Sequence, residues 1–458
     1  MEKREQAAAS SACYCPALFL AAPASGQGKT TITASLARLL HRNGKTVRIF
    51  KFGPDYLDPQ ILEKGSKTPV VQLDLWMAGE EWCRQQLYRA VAEYEADIIL
   101  VEGAMGLFDG TPSSADLAAK FGIPVALIMD VRAMAQTAAA IAVGLRNYRD
   151  DFDMIGVIAN KCGSNYHAKL VGDALPDDLP LLAALKRTDA IQLPERHLGL
   201  VQPSEQGEDF IEKCLEAGAD LLEEAGIMTH IDNLKDICFQ SQLIDTPRCD
   251  ALAGVTIAIA HDEAFSFTYT ANITLLKDMG ASVCFFSPIK DDSIPLQANA
   301  LWLPGGYPEL HAKELSENTN MLTSIRSFHK EGNHPILAEC GGFLYCMDTL
   351  IDLDDNSWPM AALMPGMGSM KNKIVVGMQT APLPEGKVRA HAHHRSKSSG
   401  TPEPFSNGIR QRSAYPGEAV YRQGSLTATY LHLFFPSNAE AISRLFSGKF
   451  LDAAEKEF

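Results

Sequence analysis

Two short stretches hold residue types that do chemistry together. Ala22-Pro23-Ala24-Ser25-Gly26-Gln27-Gly28-Lys29-Thr30-Thr31 closes on Gly-Lys-Thr, the signature of a phosphate loop. Glycines let backbone N–H groups approach phosphate oxygens, a lysine reaches the terminal phosphates, and the hydroxyl after it can hold magnesium. Gly26, Gln27, Gly28, Lys29, Thr30 and Thr31 are therefore expected to bind ATP, with Thr30 also on Mg2+. The front of the loop departs from the common pattern. Pro23 stands where glycine is usual, and Ala24 where partitioning ATPases carry a second lysine. The other stretch, Pro335-Ile336-Leu337-Ala338-Glu339-Cys340-Gly341-Gly342-Phe343, puts one cysteine between an apolar run and small residues. That is the shape of a nucleophile elbow. A helix beginning there is expected to lower the thiol pKa of Cys340. Cys346 reads as a buried structural cysteine.

A nucleophile needs a base and a place for the oxyanion. His432, in Thr429-Tyr430-Leu431-His432-Leu433, is the candidate base. Gly305-Gly306-Tyr307-Pro308-Glu309 follows an apolar run, and its N–H groups, Gly306 foremost, can join Gly341 N–H in an oxyanion hole. Near the phosphate loop the chain offers Gly53-Pro54-Asp55-Tyr56-Leu57-Asp58-Pro59 and Glu102-Gly103-Ala104-Met105-Gly106-Leu107-Phe108-Asp109-Gly110. Each follows an apolar run. Carboxylates arriving beside phosphates suit a hard cation, although Gly, Pro and Asp also favour plain turns. Asn160-Lys161 ends another run, where it either reads an adenine edge or makes a strand-end turn.

The elements needed to position these groups follow from hydrophobic patterning. Ala17–Ala22, Thr46–Phe52, Ile98–Glu102, Val125–Asp130 and Ile155–Asn160 read as buried strands, alternating with helices such as Thr30–Asn43 and Ala133–Asn147. This predicts an α/β fold, a parallel sheet with helices on both faces and its site at the carboxyl ends of the strands. A second alternation uses strands Val255–Ala260, Val283–Phe286, Ala300–Leu303 and Pro335–Glu339, with helices Asn272–Met279 and Asn320–Glu331. From about Ser369 the pattern has more strand and more Gly/Pro. The expected organisation is a disordered tail 1–16, a phosphate-loop domain 17–225, a linker 226–253 and a second α/β domain 254–458.

Composition narrows the function. The 458 residues suit two or more domains, and 46% hydrophobic content is globular. With 41 Lys+Arg against 56 Asp+Glu the net charge is −15, which argues against a general nucleic-acid binder. Ten cysteines without a CxxC pair fit a reducing cytoplasm. Met1–Arg4 and Pro16–Ala24 resemble a weak signal peptide, but cleavage after Ala24 would cut the phosphate loop, so Ala17–Ala22 is taken as a strand. No apolar run of about 20 residues is present, so no membrane span is expected.

Lys51-Phe52-Gly53-Pro54-Asp55-Tyr56-Leu57-Asp58-Pro59, Val101 to Gly110, Leu193-Pro194-Glu195-Arg196-His197-Leu198-Gly199-Leu200, Gly305 to Glu309 and Glu339 to Gly342 together resemble the cobyrinic acid a,c-diamide synthase family. The resemblance runs from about Ala17 to Phe435. It implies a dethiobiotin-synthetase-like ATPase domain followed by a class I glutamine amidotransferase domain of the cobyrinate type. It implies that Cys340, aided by His432, releases ammonia from glutamine. ATP would then phosphorylate the c and next the a acetate of a corrin-type macrocycle, and ammonia would displace phosphate. By the same resemblance Asp55 and Glu102 join Thr30 as magnesium ligands, and Tyr56, Asp58, Asp109, Arg196 and His197 handle substrate. Glutamine and a tetrapyrrole carboxylate are the expected partners, cobyrinic acid, hydrogenobyrinic acid or nickel sirohydrochlorin being candidates; a homodimer is left open.

Two places depart from the family pattern. Ala390-His391-Ala392-His393-His394-Arg395-Ser396 stands where the family has Gly-His-Glu-Phe-His-Tyr-Ser. His432-Leu433-Phe434 replaces His-Leu-His, and ordinary class I glutaminases carry an acid at the position of Phe434. Rival readings are a cobyric acid synthase, a nucleotide-switched binding protein, and an enzyme with a degenerate glutaminase that uses free ammonia.

Overall fold

The computed structural model describes residues 12–193, 195–196, 199–200, 208–240 and 250–448. The chain divides into two compact units, Met1–Ile244 and Asp245–Phe458.

In the first unit the strands are β1 (Ala12–Ala21), β2 (Val47–Phe52), β3 (Val71–Leu73), β4 (Ile98–Glu102), β5 (Val125–Asp130), β6 (Met154–Cys162) and β7 (Leu181–Lys186). A short hairpin, β8 (Glu195–Arg196) with β9 (Gly199–Leu200), and β10 (Asp236–Gln240) follow. The sheet runs β3-β2-β4-β1-β5-β6-β7, parallel throughout that order. Such strands are covered on both faces, hence their continuous apolar runs. Helix α1 (Lys29–Arg42) follows β1 directly and buries Ile32, Leu36, Leu39 and Leu40 against Leu18, Leu20 and Ile49. Helix α2 (Asp58–Ser66) follows β2, and Gly65 packs so closely on the Ala34 backbone that any side chain there would collide.

Two expectations are corrected here. The tail predicted to be disordered through residue 16 is strand from Ala12, because Ala12–Pro16 pairs antiparallel with β10, and Cys15 is buried there. The predicted linker 226–253 contains that partner strand and a helix at Met228–Ile231. Its polar look reflects an edge strand whose residues are mostly exposed.

The second unit has β11 (Thr256–Ala260), β12 (Ser282–Phe286), β13 (Ala300–Leu303), β14 (Ile336–Glu339), β15 (Thr349–Ile351), β16 (Ser357–Pro359), β17 (Met367–Leu383), β18 (Gly386–Ser399), β19 (Ser406–Arg410), β20 (Pro416–Gln423), β21 (Leu426–Thr429) and β22 (Leu431–Leu433). The order β12-β11-β13-β14-β21 is parallel, and antiparallel strands extend it through β20, β19 and β17. β18 pairs with both β17 and β22, so the last strand of the sheet lies beside the histidine run. Two apolar clusters, centred on Leu301/Leu303/Phe343 and on Trp302/Leu337/Phe435, sandwich the parallel part. No described helix is long and apolar enough to cross a membrane.

Candidate active sites

In the first unit the phosphate loop joins the end of β1 to α1, as its sequence position required. Gly26 and Gly28 take φ of 75° and 88°, the left-handed region that favours glycine, and Gly28 caps α1. Lys29 Nζ donates to Met105 O at 2.7 Å, so it reaches across to the loop after β4. Thr30 Oγ1 donates to Glu102 Oε1 at 3.1 Å. Asn160 Nδ2 donates to Gln27 O (2.9 Å), and Gln27 Oε1 accepts from Asp130 N (2.8 Å). Asn160 therefore braces the loop from the end of β6. Thr31 follows on the first turn of α1.

The carboxylates converge on a residue that the motif reading passed over. Lys51, at the end of β2 and 2% exposed, donates 2.6 Å bonds to both Asp58 Oδ2 and Glu102 Oε1. Burial opposes its charge, but the two carboxylates outweigh burial and raise its pKa. Desolvation pushes up the Asp58 carboxyl too, yet Lys51 wins and holds it below the ordinary value. Glu102 goes the other way: complete burial raises it despite Lys51. Asp55 is raised to about 7 by burial and then by Asp58. Its Oδ1 accepts from Leu57 N (2.9 Å) and Asp58 N (3.0 Å), which fixes the start of α2. Burial, then Lys51, lowers the Lys29 ammonium. The signal for Lys51 was present in the sequence as a cation flanked by Phe50 and Phe52, the second of two cations, with Arg48, in a strand that is buried throughout.

The remaining candidates spread outward. Tyr56 is 4% exposed, between Asp55 and the start of α2. Asp109 is exposed and its Oδ2 accepts from Gly106 N at 2.9 Å, folding its own loop. Arg196 lies on β8, and His197 lies outside the described residues.

The second unit builds its site where β14 meets a short helix, Gly341–Tyr345. Cys340 sits between them at φ 46°, ψ −101°, a conformation that non-glycine residues avoid. It is held there by a 2.8 Å bond from its N–H to Thr429 O on β21. A strained strand-to-helix turn of this kind presents the side chain at the sheet's carboxyl edge. Its thiol donates to His393 O at 3.8 Å.

His432 lies at the centre of β22, 1% exposed and directly opposite His391 of β18. Phe267 packs against its ring at 6.1 Å. One point brings nucleophile and base together: a Cβ placed on Gly305 would collide with His432 Cε1, and would lie 3.0 Å from Nδ1 and 3.3 Å from Cys340 Cβ. Gly305 O accepts from Ser266 N (3.1 Å) and Phe267 N (3.0 Å). In a planar trans peptide the following N–H then points the opposite way. That N–H belongs to Gly306, and a Cβ on Gly341 would lie 3.0 Å from it. Gly306 and Gly341 thus face each other across the elbow.

Electrostatics corrects one expectation. Burial, then Glu309, raises the Cys340 thiol pKa, and the Gly341 N–H offsets this only in part. A helix of five residues carries little dipole against that desolvation. His432 is shifted well below its ordinary value by burial and by His391, His393 and His394. His391 and His393 fall to about 3 and about 4, again chiefly through burial. The resting site is a protonated thiol beside neutral imidazoles. His394 stands apart: it stacks on Tyr430 at 4.1 Å, its Nδ1 lies 3.1 Å from Ser396 O, and its Nε2 is 3.5 Å from Glu418. Cys346 is fully buried.

Residues 18–201 match the CobQ/CobB/MinD/ParA nucleotide binding domain, and residues 256–440 the CobB/CobQ-like glutamine amidotransferase domain. A hydrogenobyrinate a,c-diamide synthase of Stutzerimonas stutzeri is 46% identical over 94% of this chain and 98% of its own. A cobyrinate a,c-diamide synthase of Herminiimonas arsenicoxydans is 46% identical over 94% and 96% respectively. The chain belongs to the cobyrinate/hydrogenobyrinate a,c-diamide synthase family. Its Pseudomonas aeruginosa relative, another hydrogenobyrinate a,c-diamide synthase, is 45% identical over 94% of this chain and 97% of its own. Membership assigns the chain a nucleotide-binding unit and a glutamine amidotransferase unit, and makes it a glutamine-dependent enzyme that forms C–N bonds.

Proposed function

We propose that the protein amidates the a and c acetate carboxylates of cobyrinate or hydrogenobyrinate, using ATP and glutamine, as the names of its relatives suggest. The observation that carries the reading is the convergence at Gly305 of a strained Cys340 and a buried neutral His432. As glutamine enters, His432 takes the thiol proton and Cys340 sulfur attacks the side-chain amide. Gly306 and Gly341 N–H groups receive the developing oxyanion. His432 returns the proton to the leaving nitrogen, ammonia departs, and water hydrolyses the thioester to glutamate.

In the nucleotide-binding unit the loop N–H groups and Lys29 bind the ATP phosphates. The macrocycle carboxylate attacks the terminal phosphorus, giving an acyl phosphate and ADP. Ammonia then adds to the acyl carbon and phosphate leaves. Asn160 fixes the loop, and in this reading Tyr56, Asp58, Asp109, Arg196 and His197 handle the substrate, as the family resemblance implies. The residues present fit a magnesium ion: Thr30 Oγ1 adjoins Glu102, whose Oε2 is buried without a hydrogen-bond partner, and Asp55 has spent one oxygen on backbone. Among the described residues no group of three His, Cys, Asp or Glu side chains stands ready to hold a metal. Water and phosphate would complete its shell. When bound, the ion supplies charge neutralisation at the transferring phosphoryl group.

The test is product mass. With ATP and glutamine, cobyrinate or hydrogenobyrinate should emerge carrying two amides. Four amides would point to a cobyric acid synthase, and an unchanged macrocycle would overturn the reading.

A further inference from the structure

His432 lacks the acid that ordinarily steadies a glutaminase base two residues downstream, since Phe434 stands there and its N–H donates to Arg389 O at 2.8 Å. An imidazole that must collect a proton from one sulfur still needs a fixed position, because misplacement by about 1 Å costs roughly 100-fold in rate. The ring itself hydrogen-bonds the His393 backbone, and the strand that carries it is fixed through the peptide that follows the histidine. Leu433 N donates to Glu339 Oε1 at 2.8 Å, and Leu433 O accepts from Asn272 Nδ2 at 2.8 Å. Asn272 Oδ1 also takes Phe435 N at 2.8 Å. Glu339 Oε2 is in turn held by Trp302 Nε1 at 3.0 Å. Both clamp residues are 1% exposed. β18 holds the same strand from its other edge, with Ala390 opposite Leu433 and His391 opposite His432.

We propose that Glu339 and Asn272 are positioning residues for the glutaminase, replacing the missing acid by clamping the strand that carries His432. Glu339 has the further merit of its place in the chain. It immediately precedes Cys340, whose own N–H is tied to Thr429 O. The elbow is thus linked on both sides of the base: Cys340 to Thr429 of β21, three residues before His432, and Glu339 to Leu433 of β22, the residue after it. Any shift of β22 relative to the elbow must break a buried hydrogen bond, which leaves an unpaired polar group in the core. Trp302, wholly buried on β13, makes the clamp rigid on its far side. This inference rests on the proposed roles of Cys340 and His432.

The test uses the full chain and glutamine hydrolysis. Glu339→Gln keeps size but presents an amide NH2 to one of two N–H donors, so one clamp bond is lost. Asn272→Ser shortens the other arm and strands Leu433 O or Phe435 N. Each variant that melts cooperatively should lose about 10- to 100-fold in kcat for glutamine hydrolysis while KM for glutamine stays within about three-fold. Ammonia-dependent amidation should be unchanged in both. A cooperatively melting variant with wild-type kcat, or with raised KM alone, overturns the positioning role. Cys340→Ala runs in parallel: glutamine hydrolysis surviving in it would mean that the nucleophile assignment, not the clamp, is at fault.

Discussion

The two units treat their buried groups differently: the first holds one charged pair, Lys51 with Asp58, whereas the second is shifted throughout toward neutral forms. In the nucleotide-binding unit, buried Lys51 lies 2.6 Å from both Asp58 and Glu102; Lys51 and Asp58 hold each other charged, while burial shifts Glu102, Asp55 and Lys29 toward their neutral forms. In the amidotransferase unit, buried Cys340, His391, His432 and Glu339 and half-buried His393 are all shifted toward their neutral forms. The difference matches the ligands each would meet. A polyanion with its cation would meet a site whose Lys51–Asp58 pair is already charged and whose other groups gain charge as the ligand's own charges arrive. A neutral amide is received by a quiet thiol–imidazole pair, which becomes charged only as the proton moves. A low dielectric serves both ends: it strengthens fixed charge pairs and suppresses idle ionisation.

Three perturbations separate these designs, the largest first. Lys29→Ala removes a cation from the phosphate site, and amidation should fall about 10²–10³-fold with glutamine or ammonium as nitrogen source. Glutamine hydrolysis by the other unit should survive, as measured by glutamate release. Lys51→Met strands Glu102 in the core, which should destabilise the first unit by about 3–5 kcal/mol in urea unfolding; an unchanged midpoint would mean that Lys51 is not the cluster's anchor.

The smallest effect is a pH slope in the second unit. Burial raises the Glu339 carboxyl from an ordinary 4.5 to about 8, against the pull of the Leu433 and Trp302 donors. Between those values the folded state keeps a proton that the unfolded chain has released. Its contribution is therefore full below pH 4.5 and is lost as pH rises toward 8. Thermal melts from pH 5 to pH 8 should show the wild type losing more stability than Glu339→Gln. Parallel slopes would place the Glu339 proton elsewhere.

Local signals carried the architecture well. The glycines, lysine and threonine of the phosphate loop, and the cysteine between an apolar strand and small residues, announce their turns because those turns demand those residues. What escaped depends on distant partners. β1 extends back to Ala12 only because β10, more than two hundred residues later, covers it. Lys51 looks like a stray cation until Asp58 and Glu102 are folded against it. The elbow's helix suggested a lowered thiol pKa, yet burial by the whole domain reverses the sign. Glu339 stood in view beside Cys340, but its bond to Leu433 spans the domain and has no local trace.

Glutamine hydrolysis is assigned to Cys340 and carboxylate activation to the nucleotide-binding unit. The decisive measurement is the product mass given by Cys340→Ala with ATP and hydrogenobyrinate or cobyrinate. Glutamine should give no amide, and ammonium at high pH should give the diamide. Full diamide formation from glutamine would contradict the assignment of Cys340, and loss of the ammonium reaction in a protein with an unchanged circular dichroism spectrum would contradict the separation of the two chemistries.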